Sequence, residues 1–134
     1  MAFVVQSHQF VAQSTRIFSL LVALFALYLF LRKREIGGDF WGAVIIGEAL
    51  FIIQVIIGGI MVIGGITPGR WIHLLYGAVA ILSWPGYFAA SRGRTRPQEA
   101  FMWFLISMFL FFITFRAEVT GRPAAEVVRL LLGG

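Results

Sequence analysis

Four long apolar runs, separated by short polar segments, dominate the pattern of hydrophobic and polar positions along the chain. An α-helix needs roughly 20 apolar residues to cross a bilayer, and each run approaches or exceeds that length. Glycine and proline interrupt the pattern between runs, most clearly at Gly37-Gly38 and Pro68-Gly69. The pattern predicts an all-α integral membrane protein, a four-transmembrane-helix bundle that forms a single domain over residues 1–134. The spans are expected at about residues 9–32, 41–65, 71–90 and 100–116.

The amino-acid composition supports this class and narrows the chemistry. The chain is 60% hydrophobic and only 13% charged, which lies far outside the range of soluble domains. It contains no cysteine, so disulfides, iron–sulfur clusters, thiolate zinc sites and covalently attached c-type haem are excluded. A metal would have to use His8, His73, a methionine or a carboxylate.

The positive charges indicate how the chain is oriented. Lysine and arginine number 11 against 6 acidic residues, and they cluster in the segments that follow the first and third spans. Membrane orientation explains such clusters better than nucleic-acid binding does, because basic loops stay in the cytoplasm. We therefore expect no nucleic-acid partner, and a multi-pass protein of the bacterial inner membrane with both termini on the extracytoplasmic side.

The two histidines of the chain fall at the outer ends of the first and third spans, which run in the same direction. His73 lies one turn into its span, and Gly77 continues the same helix face. Two neutral imidazoles at one depth can bind a single b-type haem. Two other readings stay open: His73 can be an interfacial histidine that bonds to water or to the preceding turn, and His8 a solvated N-terminal residue.

Two further residues are candidates for cofactor contacts. Gly58 belongs to a stripe on the second span that also contains Gly47, Gln54 and Gly65. Such a stripe lets a flat cofactor approach closely, although simple helix packing needs the same small residues. Arg16, two turns after His8, can pair with a haem propionate or with a lipid phosphate.

Glu48 lies about two turns into the second span, where an ionisable group is costly. It can belong to a proton path, a quinone pocket or a contact with a partner subunit. The alternative is that it is protonated or paired with Arg32 or Arg34 inside the bundle.

The C-terminal part of the chain offers surfaces for partners. The phenylalanines of the fourth span are spread around the helix, so we expect this span to be the most exposed to lipid or to a partner. Residues 121–134 are too short to cross a bilayer. They predict a short interfacial tail on the outer surface, or a segment that docks on a neighbouring protein.

The sequence Gln54-Val-Ile-Ile-Gly58, followed by His73-Leu-Leu-Tyr-Gly-Ala, resembles the third and fourth helices of one half of a heme A synthase, or a small membrane b-type cytochrome. In that family a glutamine–glycine helix leads into a helix whose histidine binds haem. The resemblance covers about half of the chain and implies His73 as one ligand and His8 as the second. The family has a glutamate before and an arginine directly after its first histidine, where this chain has Ser7-His8-Gln9, and a full synthase contains two such halves. The resemblance therefore implies four helices and haem binding, but not synthase activity.

The leading hypothesis is a small membrane subunit of a respiratory or photosynthetic electron-transfer complex, with one haem b between His8 and His73. Its partners would be the lipid bilayer and the other subunits of the complex. An alternative is a cofactor-free structural or assembly subunit that docks through the fourth span and the tail. A further alternative is a membrane enzyme or transporter that acts through Glu48.

Overall fold

A computed structural model of the protein describes residues 2–122 and 132–133. Within this part the chain forms four α-helices, α1 (Ala2–Leu31), α2 (Gly38–Ile63), α3 (Ile72–Ser91) and α4 (Pro97–Gly121). All four are long and apolar enough to cross a membrane. The chain is therefore a multi-pass integral membrane protein with an all-α bundle. The predicted interfacial tail lies mostly outside the described residues, and its first residue, Gly121, ends α4.

The first and last helices, α1 and α4, are longer than the spans predicted from hydropathy. Helix α1 begins at Ala2 rather than near residue 9, and α4 continues to Gly121 rather than ending at 116. Hydropathy marks only the part of a helix that favours lipid, whereas helical hydrogen bonding continues through polar residues. In the first turns of α1 the Ser7 hydroxyl donates to the Phe3 carbonyl at 2.8 Å, so a polar side chain is accommodated within the helix.

The helices pack in cyclic order, each against its neighbours in sequence, and α4 closes the bundle against α1. The α1–α4 interface is the most extensive and the α2–α3 interface the least. Short loops join antiparallel neighbours, as in up-down bundles. At what we call the arginine end, loops 32–37 and 92–96 meet, because the Ile36 N–H donates to the Thr95 carbonyl at 2.8 Å. The opposite end, where α1 and α3 begin, is called the histidine end.

The densest part of the core lies toward the arginine end and is aromatic. Trp103 is fully buried and packs edgewise against Trp41 and Tyr87, with ring centres 5.5 and 5.1 Å apart. The indole N–H of Trp84 donates to the Ser107 hydroxyl at 3.0 Å, which joins α3 to α4. These contacts hold the helices in register. The histidines lie in the other half of the bundle.

The prediction that the fourth span is the most exposed helix is wrong. In the most apolar stretch of α4, 28% of the residues are buried, against 11% in α3. Ala100, Trp103, Ser107 and Leu110 recur at spacings of three and four and form a continuous buried stripe. The phenylalanines lie on both sides of this stripe. Because they are spread evenly around the helix, the sequence does not show which face of α4 is buried.

Candidate functional site

His8 of α1 and His73 of α3 meet at the histidine end, although their helices are not neighbours in the bundle. The ring centres are 6.1 Å apart and the ring planes are inclined at 60°. Two imidazoles that bind one metal ion from opposite sides, each at roughly 2 Å, place their ring centres about 6 Å apart. The structure thus brings together the two histidines that the sequence places at one level, at a separation that suits a shared metal.

A backbone carbonyl orients His73. Its Nδ1 lies 2.6 Å from the carbonyl oxygen of Ala117 on α4, and because a carbonyl only accepts, Nδ1–H must be the donor. The Nε2 atom then keeps its lone pair and can bind a metal. Histidine ligands commonly donate the other ring N–H in this way, which fixes both tautomer and ring orientation.

The end of α4 also forms the surface on which His73 rests. A Cβ atom on Gly121 would lie 2.7 Å from His73 Cε1, so only glycine allows the ring this position. The loop before α3 is attached to the same end of α4. The N–H groups of Gly69 and Arg70 donate to the carbonyls of Gly121 and Thr120, at 3.3 and 2.8 Å. The sequence gives no signal for Ala117 or Gly121, because their roles depend on the register between α3 and α4.

His8 is positioned by two residues of the glycine stripe on α2. Its Nε2 lies 3.3 Å from Gln54 Nε2, and its Cε1 lies 3.3 Å from where a Cβ on Gly58 would be. Through His8, Gln54 thus joins α2 to α1. Rotating the Gln54 amide by 180° exchanges its donor and acceptor, so Gln54 can bond to either protonation form of the His8 nitrogen.

One polar atom of His8 and one of Gln54 have no hydrogen-bond partner among the described residues. They are His8 Nδ1 and Gln54 Oε1, and both are buried. A buried polar atom without a partner costs roughly 1–3 kcal/mol. A metal bound to one His8 nitrogen, with the other nitrogen donating to Gln54 Oε1, would satisfy both atoms.

The donor set suits a haem better than a bare metal ion. No group of three or more His, Cys, Asp or Glu residues comes together within the described residues. A structural or catalytic zinc ion takes three or four protein ligands, whereas a porphyrin supplies four nitrogens and leaves only two axial positions. Two imidazoles match that requirement.

The face of α3 that carries His73 is open at Gly77. Gly77 follows His73 by four residues and so lies on the same side of α3. No heavy atom lies within 4 Å of the position a Cβ on Gly77 would occupy. Helices α2 and α3 also share the smallest of the four interfaces between neighbouring helices, so the surroundings of Gly77 are less closely packed than the rest of the bundle.

Arg16 is engaged within the protein. Its guanidinium forms an ion pair with Glu118, donates to the Thr114 hydroxyl at 3.2 Å and lies 4.0 Å from the centre of the Phe115 ring. Glu118 also accepts from Arg122 at 2.6 Å. Arg16 therefore joins α1 to α4, and its contact with a propionate or a lipid phosphate stays a prediction.

Glu48 lies apart from the histidine pair, about a turn and a half before Gln54 on α2. Its Oε2 is buried and accepts no hydrogen bond from a described residue. The ion pairs of the described part of the chain do not include one from Glu48 to Arg32 or Arg34. Its predicted roles are left open by this geometry.

The comparisons with known proteins add no family to this description. No protein-family model, curated protein or solved structure matches the chain. The resemblance to heme A synthases thus rests on the residues of α2 and α3 alone, and it stays a prediction.

Proposed function

We propose that the protein is a small membrane subunit of a respiratory or photosynthetic electron-transfer complex and binds one b-type haem between His8 and His73. The observation that carries this proposal is the pair of imidazoles, drawn from two non-adjacent helices and separated by 6.1 Å between ring centres. When bound, the haem would supply reversible one-electron chemistry at its iron. The protein would supply the ligands, their orientation and an apolar surrounding.

Each contact of the histidine pair has a part in this proposal. The Ala117 carbonyl holds the proton of His73 on Nδ1, and Gln54 holds the His8 ring from α2. Gly58 and Gly121 let the two rings lie directly against the backbone of their neighbours. Fixed ligands need little rearrangement when the iron changes its oxidation state, which suits electron transfer.

The basic loops support a particular orientation for the proposed subunit. The arginine end gathers the Lys and Arg residues of both short loops, and such loops stay on the cytoplasmic side of bacterial inner membranes. In that orientation both termini and the histidine pair lie toward the extracytoplasmic side. The haem would then exchange electrons near that face.

The first test is optical. We expect the purified full-length protein to show a b-type signal in a reduced-minus-oxidised spectrum, and a pyridine haemochrome assay to give close to one haem per chain. A sample that stays colourless after expression with added haem precursor, and that does not bind added hemin, would contradict the proposal. That outcome would favour a subunit without a cofactor.

A specific surface favours the second candidate, a structural or assembly subunit. Two adjoining apolar cavities of about 490 and 330 Å³ lie between α3 and α4 on the outside of the bundle. Phe109 lines both, and Gly86 lines the larger. We call this surface the α3–α4 groove. A transmembrane helix of another subunit would pack against this apolar surface, where Gly86 allows a close approach.

We expect Gly86→Leu to release the chain from its complex in native membranes, because a Cβ at this position meets no heavy atom within 4 Å and the larger side chain would occupy the groove. Native gel electrophoresis of mildly solubilised membranes measures this as a shift to the mass of the free chain. Ala89→Leu is the control, since Ala89 is exposed but does not line the cavities. An unchanged assembly in Gly86→Leu would contradict the docking role of the groove.

A further inference from the structure

We propose that Arg70 is the residue that binds the haem propionates, in the role that the sequence suggests for Arg16. This inference rests on the proposed haem function and assigns a part of the same site. It starts from the observation that Arg16 already has an ion-pair partner, a hydroxyl and an aromatic ring inside the α1–α4 interface. Binding a propionate there would leave Glu118 with Arg122 as its one remaining arginine partner among residues 2–122.

The backbone of Arg70 is fixed beside the histidine pair while its side chain is free to reach outward. Its N–H donates to the Thr120 carbonyl at 2.8 Å, and its carbonyl accepts from the N–H of His73 at 3.0 Å. The residue is exposed, and it forms no ion pair within residues 2–122. A charged group is thus held three residues before the proposed iron ligand.

Arg70 also lies in the loop before α3, at the end of this helix nearer to Gly77. Helix α2 ends at Ile63 and α3 begins at Ile72, so the loop that contains Arg70 closes the histidine end of the α2–α3 interface. A porphyrin has an apolar body and two carboxylates on one edge. With the body between α2 and α3, that edge would turn toward water at this loop, since a buried carboxylate without a partner is costly.

Arg116 and Arg122, the other arginines that the structure describes near the end of α4, are less suited to this role. Arg122 is paired with Glu118. Arg116 lines the smaller cavity of the α3–α4 groove, together with Leu75 and Tyr76, and so lies on a different face of the bundle. Arg70 is the exposed guanidinium in the loop that joins α2 to α3. A guanidinium can hold a carboxylate through two parallel hydrogen bonds.

The test compares two probes on the purified full-length apoprotein. Hemin carries both propionates, and hemin dimethyl ester carries the same iron porphyrin without their charge. We expect the wild-type protein to bind hemin roughly tenfold or more tightly than the ester, because a charge-assisted hydrogen bond is present only with hemin. Arg70→Gln should weaken hemin binding by about the same factor and leave ester binding unchanged. Unchanged ester binding also shows that the histidine pair is intact in the variant.

Two further variants complete the experiment. Arg70→Lys keeps the charge and should keep most of the preference for hemin, and Arg116→Gln should keep all of it. If Arg70→Gln still preferred hemin as strongly as the wild type does, the assignment to Arg70 would be overturned. Loss of the preference in Arg116→Gln instead would overturn it as well. A wild-type protein that binds neither probe with a b-type spectrum would overturn the proposed haem function, and the assignment with it.

Discussion

Replacing His73 with alanine is expected to abolish stable haem binding. The substitution removes one of the two residues that would hold the haem on the proposed function, and it leaves the Ala117 carbonyl without its donor. Loss of an outer-shell partner of a metal ligand typically costs roughly 10- to 100-fold in affinity, and loss of the ligand itself should cost more. The measurement is haem content per chain after purification, together with the affinity for added hemin.

The spectrum of any residual complex distinguishes loss of a ligand from loss of the fold. Iron with one remaining imidazole changes its coordination and spin state, so its spectrum should differ from that of the wild type. His8→Ala should behave in the same way, and Gln9→Ala is the matched control because Gln9 is the exposed neighbour of His8. A wild-type spectrum in His73→Ala would show that the ligand assignment is wrong.

Gly47→Leu is expected to cause the largest loss of stability of any single change in the core. Even a Cβ at this position would lie 2.6 Å from Trp84 and 3.2 Å from Phe18. Trp84 is 1% exposed and its indole is bonded to Ser107, so it cannot move aside without breaking other contacts. Extra methylene groups in a well-packed core cost roughly 1–3 kcal/mol, and a whole leucine side chain should exceed that range.

The effect can be measured as a lower midpoint of thermal unfolding in detergent, followed by helical circular dichroism. Gly59→Leu is the matched control, since it lies on the same helix and a Cβ there meets no heavy atom within 4 Å. Both variants gain similar helix propensity over glycine, so the difference between them isolates the clash with Trp84. Equal midpoints for the two proteins would contradict the close contact of Gly47 with Trp84.

Hydropathy was enough to predict the helices but not their full length. The four apolar runs contain the lipid-facing part of each helix, and the basic loops show that the chain returns twice to the same end. The first turns of α1 are too polar to be counted as part of a span, yet the Ser7 and Ser14 hydroxyls donate to carbonyls of the same helix and do not end it. The exposure of α4 could not be predicted, because it depends on which face of this helix packs against α1. Evenly spread phenylalanines do not mark that face.

In the candidate site, the depth of the histidines can be predicted from the sequence, but the partners of their rings cannot. Equal depth of His8 and His73 follows from counting residues along two parallel spans, so the sequence could place them at one level. The partners of these rings could not be found in this way. A backbone carbonyl such as that of Ala117 has no sequence signature, and the pairing of Arg16 with Glu118 depends on how α1 and α4 align.

The unequal lengths of the helices have a consequence for where the histidine pair lies in the membrane. At 1.5 Å per residue, the 20 residues of α3 extend about 30 Å, which equals the thickness of the hydrocarbon layer, whereas the 30 residues of α1 extend about 45 Å. His73 is the second residue of the shorter helix, so if α3 fills the hydrocarbon layer, the pair lies near its boundary with the headgroups. In a thinner bilayer we expect water to come closer to the histidine pair, while Trp84 and Trp103 stay dry because other side chains of the protein bury them. Lipid chain length should therefore change the hydration of the histidine pair without altering the core.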